Sequence, residues 1–321
     1  MTATPATRNE LPRWLGLNSP GASGVPVSII QRHPFDLATS YRFEHLTVRI
    51  GTGESLQVVV KDFGSSRLPK DDPLARGERE VSVYRDLLAE AEVGTARLYG
   101  VGRNPVRLVL EHVAGTDLKH HGLGAWIDSA SWLGCFQTRM AGRSAQVRRC
   151  QVLIRHDRAF FFDRVRTAQR AVAEFGPMAA HRLAVMLDGY PDLVEVMVDQ
   201  PSTLVHGSFR PQNIIVSTAS DGTVRICPVD WELAGIGSPL YDLAFLADGF
   251  RGPKLERLCA AYLRGAGRHP AVTGADMPYV LDCFRLHKIV KSISDSTVLG
   301  FRPETIDKLL DQGTELRERL G

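Results

Sequence analysis

Two short apolar segments that each end in polar residues constrain this chain more than any other feature. Residues 204–216 read Leu-Val-His-Gly-Ser-Phe-Arg-Pro-Gln-Asn-Ile-Ile-Val, and residues 226–232 read Ile-Cys-Pro-Val-Asp-Trp-Glu. Residues 219–222, Ala-Ser-Asp-Gly, form a strong turn signal, so the flanking apolar residues predict two short strands joined by a turn. Asn213 and Asp230 then lie at strand ends, and an amide oxygen and a carboxylate are ligands that magnesium accepts.

The first third of the chain reads as strands around one helix. A 3.6-residue apolar period predicts a helix within 76–91, and apolar, β-branched runs predict strands at 25–30, 41–50, 56–63, 96–100 and 107–112. The remainder is mostly helical, with helices predicted at 126–140, 157–175, 179–199, 254–265, 278–293 and 303–320. Pro191 should kink or split the third of these helices. A small sheet-rich part followed by a larger helical part predicts an α+β fold.

The composition excludes several classes of protein. The chain has 321 residues and a formal net charge of +3, which is too small to indicate a nucleic-acid partner. No stretch approaches the ~20 apolar residues of a membrane span, and residues 1–17 are too polar for a signal peptide. The five cysteines are odd in number and lack Cys-x-x-Cys spacing, which favours reduced thiols. We therefore expect a cytoplasmic protein with no membrane partner.

Lys61 and Glu80 extend the series of polar residues toward the N-terminus. Lys61 follows three valines in a predicted strand, and Glu80 lies on the predicted helix that comes next. Taken alone, the lysine fits an amphipathic strand end and the glutamate fits a solvated charge. Lys61 and Glu80 precede His206, Asn213 and Asp230 in the chain, and together these residues fit phosphoryl transfer. This reaction needs positive charge around the phosphates more than it needs covalent catalysis.

These strings, together with Gly-Ser-Pro-Leu-Tyr-Asp-Leu-Ala at 237–244, resemble the catalytic and metal-binding loops of aminoglycoside phosphotransferases, choline kinases and their relatives. The family pattern is His-Gly-Asp-x-x-x-x-Asn, then Asp-(Phe/Trp)-Glu, then a Gly…Asp-Leu-Ala segment. The resemblance implies a protein-kinase-like fold of two lobes. It implies a nucleotide-binding N-lobe at 25–113 and a helical C-lobe at 114–321 with the catalytic loop, the metal site and the acceptor site. The polar start of the chain predicts a flexible arm at 1–24.

The resemblance implies that the N-lobe binds ATP. Lys61 would contact the α- and β-phosphates, and Glu80 would hold its ammonium in place. Glu111, His112 and Val113 would bind adenine through the backbone of the hinge strand.

The remaining contacts to Mg-ATP are expected from two loops. Thr39 and Ser40, between the first two strands, could donate to the β- and γ-phosphates, although a plain hairpin turn explains them equally well. Asn213 and Asp230 would bind Mg²⁺, and Arg210 would contact the transferred phosphate.

Position 208 departs from the family pattern. Ser208 replaces the aspartate that orients the acceptor hydroxyl and accepts its proton, a contribution of typically ~10²–10⁴-fold. Two functions stay open: an ATP-dependent phosphotransferase with weakened or unusually assisted catalysis, and a nucleotide-binding pseudokinase that acts as a partner or scaffold. An engineered change of the acid is a further reading. Glu232 belongs to the family pattern, so it is no evidence of compensation, and His206 and Asp242 are expected to brace the loop.

The acceptor is the least constrained part of the prediction. The late helix at 282–294 carries Arg285, His287, Lys288 and Lys291. If this basic face lines the acceptor site, an anionic or peptide acceptor fits better than an aminoglycoside; an ordinary solvated face is the competing reading. Some relatives phosphorylate Ser or Thr in peptide pathways. A small-molecule hydroxyl, a peptide Ser/Thr and a protein partner in a biosynthetic assembly therefore stay open.

Overall fold

The structure is a computed structural model that describes residues 11–15, 27–33, 41–51, 53, 55–66, 69–89, 91–267 and 276–321. The chain divides into two compact units, Met1–Asp117 with Gln212–Leu233, and Leu118–Pro211 with Ala234–Gly321. The first unit is built on an antiparallel sheet and the second is mainly helical, so the predicted α+β class is confirmed.

The secondary-structure elements are numbered along the chain. The described strands are β1 (Val27–His33), β2 (Tyr41–Ile50), β3 (Ser55–Ser66), β4 (Leu98–Gly102), β5 (Arg107–Glu111), β6 (Thr116–Asp117), β7 (Ile154–Arg155), β8 (Thr203–Val205), β9 (Ile214–Thr218), β10 (Val224–Pro228) and β11 (Gly235–Gly237). The described helices are α1 (Leu11–Trp14), α2 (Pro73–Ser82), α3 (Leu123–Gly142), α4 (Ser144–Arg149), α5 (Arg158–Ala173), α6 (Pro177–Met186), α7 (Tyr190–Val198), α8 (Pro239–Leu246), α9 (Gly252–Ala266), α10 (Met277–Ser294), α11 (Ser296–Leu299) and α12 (Pro303–Leu320).

Five strands of the first unit form one antiparallel sheet in the order β1-β2-β3-β5-β4. Side chains alternate across a strand, so Leu46, Val58 and Val60 point to one face, where each is at most 3% exposed. Lys61 points to the opposite face, as does its register partner Phe43. The sheet therefore separates an apolar core from the face that carries the lysine.

The hairpin predicted from the turn signal belongs to the first unit. Strands β9 and β10 pair antiparallel, with Ile214 opposite Pro228. Strand β6 adds to β9 through the pairs Thr116–Val216 and Asp117–Ile215. Residues 212–233, which the sequence analysis assigned to the C-lobe, therefore fold with the residues that precede 118.

Helix α1 lies within the segment that was predicted as a flexible arm. Leu11 and Trp14 are buried in the apolar core of the first unit. Two glycines of β4 accept the helix: a Cβ at Gly100 would lie 1.5 Å from the carbonyl oxygen of Trp14, and one at Gly102 would lie 2.8 Å from its indole nitrogen. The guanidinium carbon of Arg107 lies 5.1 Å from the Trp14 ring centroid. This part of the arm is a packed element, because it covers apolar side chains of the sheet.

Helix α2 positions Glu80 beside the sheet. The Asp72 carboxylate caps the helix by accepting from the Ala75 N–H at 3.0 Å, and Pro73 occupies a first-turn position that needs no donor. The helix continues as a π-helical segment, Val83–Leu88. Glu80 is 0% exposed, so its carboxylate is directed into the unit.

The second unit packs several helices against α10, namely α5, α7, α8 and α12. The helix predicted at 179–199 is split, as expected, into α6 and α7. Gly189 precedes α7 with a φ of 68°, and Pro191 lies in the first turn of α7. Strands β7, β11 and β8 form a small sheet. Within the described residues, none of the helices has the length and apolar character needed to cross a membrane.

Candidate functional site

Lys61 is the centre of a buried charged cluster in the first unit. Strand β3 positions the lysine, and its ammonium donates to the Glu80 carboxylate on α2 with an Nζ–Oε2 distance of 2.6 Å. It also forms an ion pair with Asp230, which follows β10. The Lys61 and Glu80 side chains are 2% and 1% exposed, whereas that of Asp230 is 37% exposed. Three predicted site residues from distant segments are therefore in direct contact.

The protonation of this cluster follows from its burial and its charges. Burial disfavours the ammonium, but the charges of Asp230 and Glu80 outweigh it and hold the pKa of Lys61 above its ordinary value. Burial raises the pKa of Glu80 against the opposing charge of Lys61. The lysine Nζ also lies 4.8 Å from the ring centroid of Phe63 and 5.1 Å from that of Tyr41, which stabilises a cation. Lys61 is therefore a fixed positive charge.

Asn213 and Asp230 lie at the same end of the β9–β10 hairpin. The Val229 N–H donates to the Asn213 carbonyl at 2.9 Å, which aligns the two strand ends. Asp230 has a φ of 69°, a conformation that non-glycine residues rarely adopt and that clusters at functional sites. The described part of the chain holds no group of three or more His, Cys, Asp or Glu side chains suited to a metal. Mg²⁺ takes only one or two protein oxygens when phosphates and water supply the rest, so these residues fit it.

Glu232 ties the segment after Asp230 to the region of α2. Its carboxylate accepts from Lys70 at 2.9 Å and from Arg76 at 3.1 Å, and its side chain is 3% exposed. The backbone carbonyl of Glu232 accepts from Arg79 at 2.5 Å. Because the buried carboxylate is shared by two cations, Glu232 is unsuited to replace the missing catalytic base.

The three residues predicted to bind adenine lie at the end of β5 and directly after it. The Glu111 N–H donates to the Arg97 carbonyl at 2.8 Å, and the His112 N–H donates to the Gln57 carbonyl at 3.1 Å. Within the described residues, the Val113 N–H donates no hydrogen bond to the backbone. Val113 is thus the one residue of the three whose backbone donor is left for a ligand, judged on the described part of the chain.

The Glu111 side chain has a structural role. Arg225 of β10 binds its carboxylate at 2.6 and 3.0 Å. Burial opposes the charge of Glu111, but the hydrogen bonds from Arg225 and from the Arg97 N–H hold its pKa below its ordinary value. The Glu111 carboxylate and the Glu111 N–H are therefore both engaged within the protein. Thr39 and Ser40, the predicted phosphate donors, lie outside the described residues.

Three histidines form a stack in the first unit, which the sequence analysis missed. His45 of β2 lies between His33 of β1 and His112, with ring centroids 4.3 and 3.8 Å apart. His45 is two residues from Phe43 and therefore lies on the sheet face that carries Lys61. Burial and then the charges of neighbouring histidines lower the pKa of His45 and His112, so both rings are neutral near pH 7. No local pattern in the sequence indicates this stack, because the pairing of His33 with His45 depends on an irregular register between β1 and β2.

In the second unit, Asp242 of α8 holds the loop that carries Ser208. Its carboxylate accepts from the His206 N–H at 2.7 Å and from the Gly207 N–H at 3.0 Å. Gly207 has a φ of 78°, which favours glycine, and His206 Nδ1 accepts from the Ser208 N–H at 3.3 Å. Asp242 is 0% exposed, and burial raises its pKa to about 7 although the two backbone donors lower it. The position of Ser208 therefore depends on Asp242.

Arg210 is the cation nearest to Ser208 along the chain. Its N–H donates to the Ser208 carbonyl at 2.7 Å, and its guanidinium carbon lies 5.3 Å from the ring centroid of Phe245 on α8. Its Nε is buried and has no hydrogen-bond partner in the described part of the chain. The Phe245 ring thus orients the guanidinium, whose buried Nε has no acceptor among the described residues.

Helix α10 presents fewer cations than its sequence suggested. His287 is 0% exposed, its Nδ1 lies 2.8 Å from the Tyr190 hydroxyl, and burial lowers its pKa well below the ordinary value. It is therefore neutral, which corrects its inclusion in the basic face. The Lys288 and Lys291 side chains are 13% and 11% exposed, and Arg285 is 5% exposed. An ordinary solvated face is inconsistent with this burial.

A cavity of about 690 Å³ lies elsewhere in the second unit, beside α7 and β11. Its lining includes His156, Gly237, Arg158 and Glu195, and it includes none of the residues predicted for the site. Arg158 and Glu195 pair with each other at 2.6 Å. We therefore assign candidate functional residues to two separate clusters, the one around Lys61 in the first unit and the one around Ser208 in the second.

Solved structures share this fold. A macrolide 2'-phosphotransferase from Brachybacterium faecium is 15% identical with a TM-score of 0.59, and the match covers 92% of this chain and 97% of that one. A thermostable mutant of an aminoglycoside phosphotransferase, in a ternary complex with ADP and hygromycin B, is 14% identical with a TM-score of 0.59, covering 91% and 94%. At these identities the likeness establishes the protein-kinase-like fold alone.

A curated protein matches part of the chain. Acyl-CoA dehydrogenase family member 11 from Rattus norvegicus is 26% identical over 148 residues, which cover 38% of this chain and 19% of that protein. The chain thus spans about a fifth of the length of the curated relatives it matches.

A family model matches most of the chain. The model of the phosphotransferase enzyme family covers residues 40–277. This span contains Lys61, Glu80, Ser208 and Asp230, and the resemblance drawn from the sequence is confirmed. The chain therefore belongs to the phosphotransferase enzyme family.

Proposed function

We propose that this protein transfers the γ-phosphate of ATP, bound with Mg²⁺, to a hydroxyl group of a small molecule or of a peptide Ser or Thr. One observation carries the proposal: the buried ammonium of Lys61 contacts both Glu80 and Asp230. Lys61 would neutralise charge on the α- and β-phosphates, and Glu80 would fix its position. An aminoglycoside phosphotransferase with this fold forms a complex with ADP, which supports a nucleotide as the donor.

The same unit offers groups for the metal and for the base. Asn213 and Asp230 would hold Mg²⁺, which supplies positive charge to the phosphates when it is bound. The Val113 N–H would donate to adenine, and the neutral stack that ends at His112 offers a flat surface for the base. Thr39 and Ser40 keep the proposed role of donors to the phosphates. We also propose that the reaction takes place in the cytoplasm, where ATP is available.

Residues of the loop at 206–210 would serve the acceptor. The Ser208 hydroxyl would hydrogen-bond the acceptor hydroxyl, but it does not take a proton near neutral pH. Because the attacking oxygen loses its proton late in a loose transition state, the loss of the base slows the reaction without abolishing it. Arg210 would stabilise charge on the transferred group. We expect slow transfer.

Calorimetry with Mg-ATP and assays with γ-labelled ATP test the proposal. We expect Mg-ATP binding that Lys61→Met weakens about tenfold or more, since a charge-assisted contact is lost. Lys254→Gln, an exposed lysine of α9, is the matched control and should bind as wild type does. Ser208→Asp should raise turnover by roughly 10²-fold or more. Absence of Mg-ATP binding by the wild-type protein would overturn the proposal.

Ser208 also favours a second function, a nucleotide-binding pseudokinase that acts as a partner or scaffold in an assembly. This function predicts Mg-ATP binding without transfer to any hydroxyl compound, because no base is present. The Ser208→Asp variant separates the two functions. Turnover by this variant supports the enzyme, whereas nucleotide binding with no turnover in either form supports the scaffold.

A further inference from the structure

Four cations of the second unit form a group that includes Arg210, which comes two residues after Ser208. They are Arg164 of α5, Arg210 of the loop, and Lys288 and Lys291 of α10. The charge of Arg210 acts on both lysines, and that of Arg164 acts on Lys291. The two lysine side chains are 13% and 11% exposed, so water screens this repulsion poorly.

Acidic partners compensate only part of this positive charge. Lys288 pairs with Asp248, whose side chain is 54% exposed, and Lys291 pairs with Asp295 at 2.6 Å. Burial, together with the charges of the two arginines, lowers the pKa of Lys291 to about 8 even though Asp295 raises it. Within the described residues, two carboxylates therefore pair with the two lysines, and Arg164 and Arg210 form no ion pair.

We propose that Arg210, Lys288 and Lys291 bind the anionic group of the acceptor, which is an alcohol that also carries a carboxylate or a phosphate. The inference rests on the proposed function, because it takes Ser208 as the group that meets the acceptor hydroxyl. The backbone N–H of Arg210 donates to the Ser208 carbonyl at 2.7 Å, which fixes the backbones of the two residues relative to each other. The ring of Phe245 orients the guanidinium, whose buried Nε lacks an acceptor in the described part of the chain.

The same residues exclude a polycationic acceptor. An ammonium group brought to Arg210 would be repelled by three further cations in a poorly screened environment. An anionic group instead gains charge-assisted hydrogen bonds from guanidinium and ammonium donors, of the kind that arginine forms with carboxylates and phosphates. The charge of the acceptor is therefore the property that this cluster selects.

Calorimetric titration with 3-phosphoglycerate tests the inference, since this probe carries a hydroxyl, a carboxylate and a phosphate. Glycerol is its neutral counterpart. We expect 3-phosphoglycerate to bind and glycerol not to bind at equal concentration. Lys288→Gln and Lys291→Gln should each weaken the binding about tenfold, and the control Lys254→Gln should leave it unchanged. Asp248→Asn, at an exposed position, should tighten the binding a few-fold because it removes a competing anion.

The outcomes separate this inference from the proposed function. Equal binding of 3-phosphoglycerate to the wild-type protein and to both lysine variants, or no binding at all, overturns the anion site. Loss of Mg-ATP binding in the lysine variants overturns it too, since the cations would then serve the nucleotide. If 3-phosphoglycerate binds as expected while Mg-ATP does not bind to the wild-type protein, the proposed function fails and the anion site stands. Should Lys291→Gln fold poorly, Lys291→Met and Asp248→Asn provide the same tests.

Discussion

Replacing Asp242 by asparagine should change how the stability of this protein depends on pH. Asp242 is 0% exposed, and its two oxygens accept from the His206 and Gly207 N–H groups at 2.7 and 3.0 Å. Asparagine keeps the shape but presents an NH₂ group to one of these donors. One buried N–H then loses its acceptor, which costs about 1–3 kcal/mol at any pH.

The protonation equilibrium of Asp242 in the wild-type protein opposes this cost as the pH rises. Burial raises the pKa of Asp242 from its ordinary value of 3.8 to about 7. The unfolded chain releases the proton near the ordinary pKa, whereas the folded protein keeps it until about pH 7. The stability from this group is therefore fully present below the ordinary pKa and is lost as the pH rises toward 7. At about 1.4 kcal/mol per pH unit, the wild-type protein loses about 3 kcal/mol between pH 5 and pH 7, and Asp242→Asn does not.

Urea unfolding followed by tryptophan fluorescence at pH 5, 6 and 7 measures this difference. We expect Asp242→Asn to be less stable than wild type at pH 5 and the gap to close or reverse by pH 7, a change of about 3 kcal/mol. Asp128→Asn, at an exposed position of α3, controls for the loss of a carboxylate and should give a constant gap. A constant gap for Asp242→Asn as well would mean that Asp242 stays ionised throughout, and the reasoning from burial would be refuted.

Three further substitutions in the first unit test the packing of α1, the protonation of His45 and the ion pairs of Glu232. Gly100→Ala should destabilise the protein by about 3 kcal/mol in urea unfolding, because the new Cβ would lie 1.5 Å from the Trp14 carbonyl oxygen. Gly124→Ala, with no atom within 4 Å of its Cβ, should cost nothing, and equal effects would contradict this account. The pKa of His45 is lowered in the fold, so the contribution of its neutral ring is present above its ordinary pKa and lost as the pH falls. The free energy of unfolding should therefore fall between pH 7.5 and pH 5.5 in wild type and less in His45→Gln, whereas parallel changes in the two proteins would exclude this contribution of the ring. Glu232→Gln should cost about 3 kcal/mol, since two half-buried cations lose the charge of the buried anion they share, and an unchanged melting temperature would disprove that.

Local patterns in the sequence were sufficient for the strands and for several site residues. The alternation in 41–50 coincides with β2, and the turn at 219–222 predicted the β9–β10 hairpin that aligns Asn213 with Asp230. The spacing of apolar residues and the residue types of a turn both depend on only a few neighbouring positions. A single sequence is therefore sufficient to predict them. The short strands β7, β8 and β11 escaped prediction because two or three residues show no period.

Contacts between distant segments could not be predicted in the same way. Helix α1 was interpreted as part of a flexible arm, yet it packs on Gly100 and Gly102, whose missing side chains make room for it. His287 was counted among the cations, although its burial beside Tyr190 leaves it neutral. Neither the packing of α1 nor the neutral state of His287 could be predicted from neighbouring residues, because each depends on a partner many positions away in the chain.

The sequence by itself determined which chemical groups this chain carries and in what order: a lysine after a strand, a glutamate on the next helix, and an amide and a carboxylate at the ends of a hairpin. Only the tertiary structure decided their states. Lys61 is a buried cation because Glu80 and Asp230 reach it, and Lys288 and Lys291 are poorly solvated because α10 is packed on several sides. The cause is physical: a backbone pattern is a short-range property, whereas the charge and the reactivity of a side chain depend on its distance from water and from other charges.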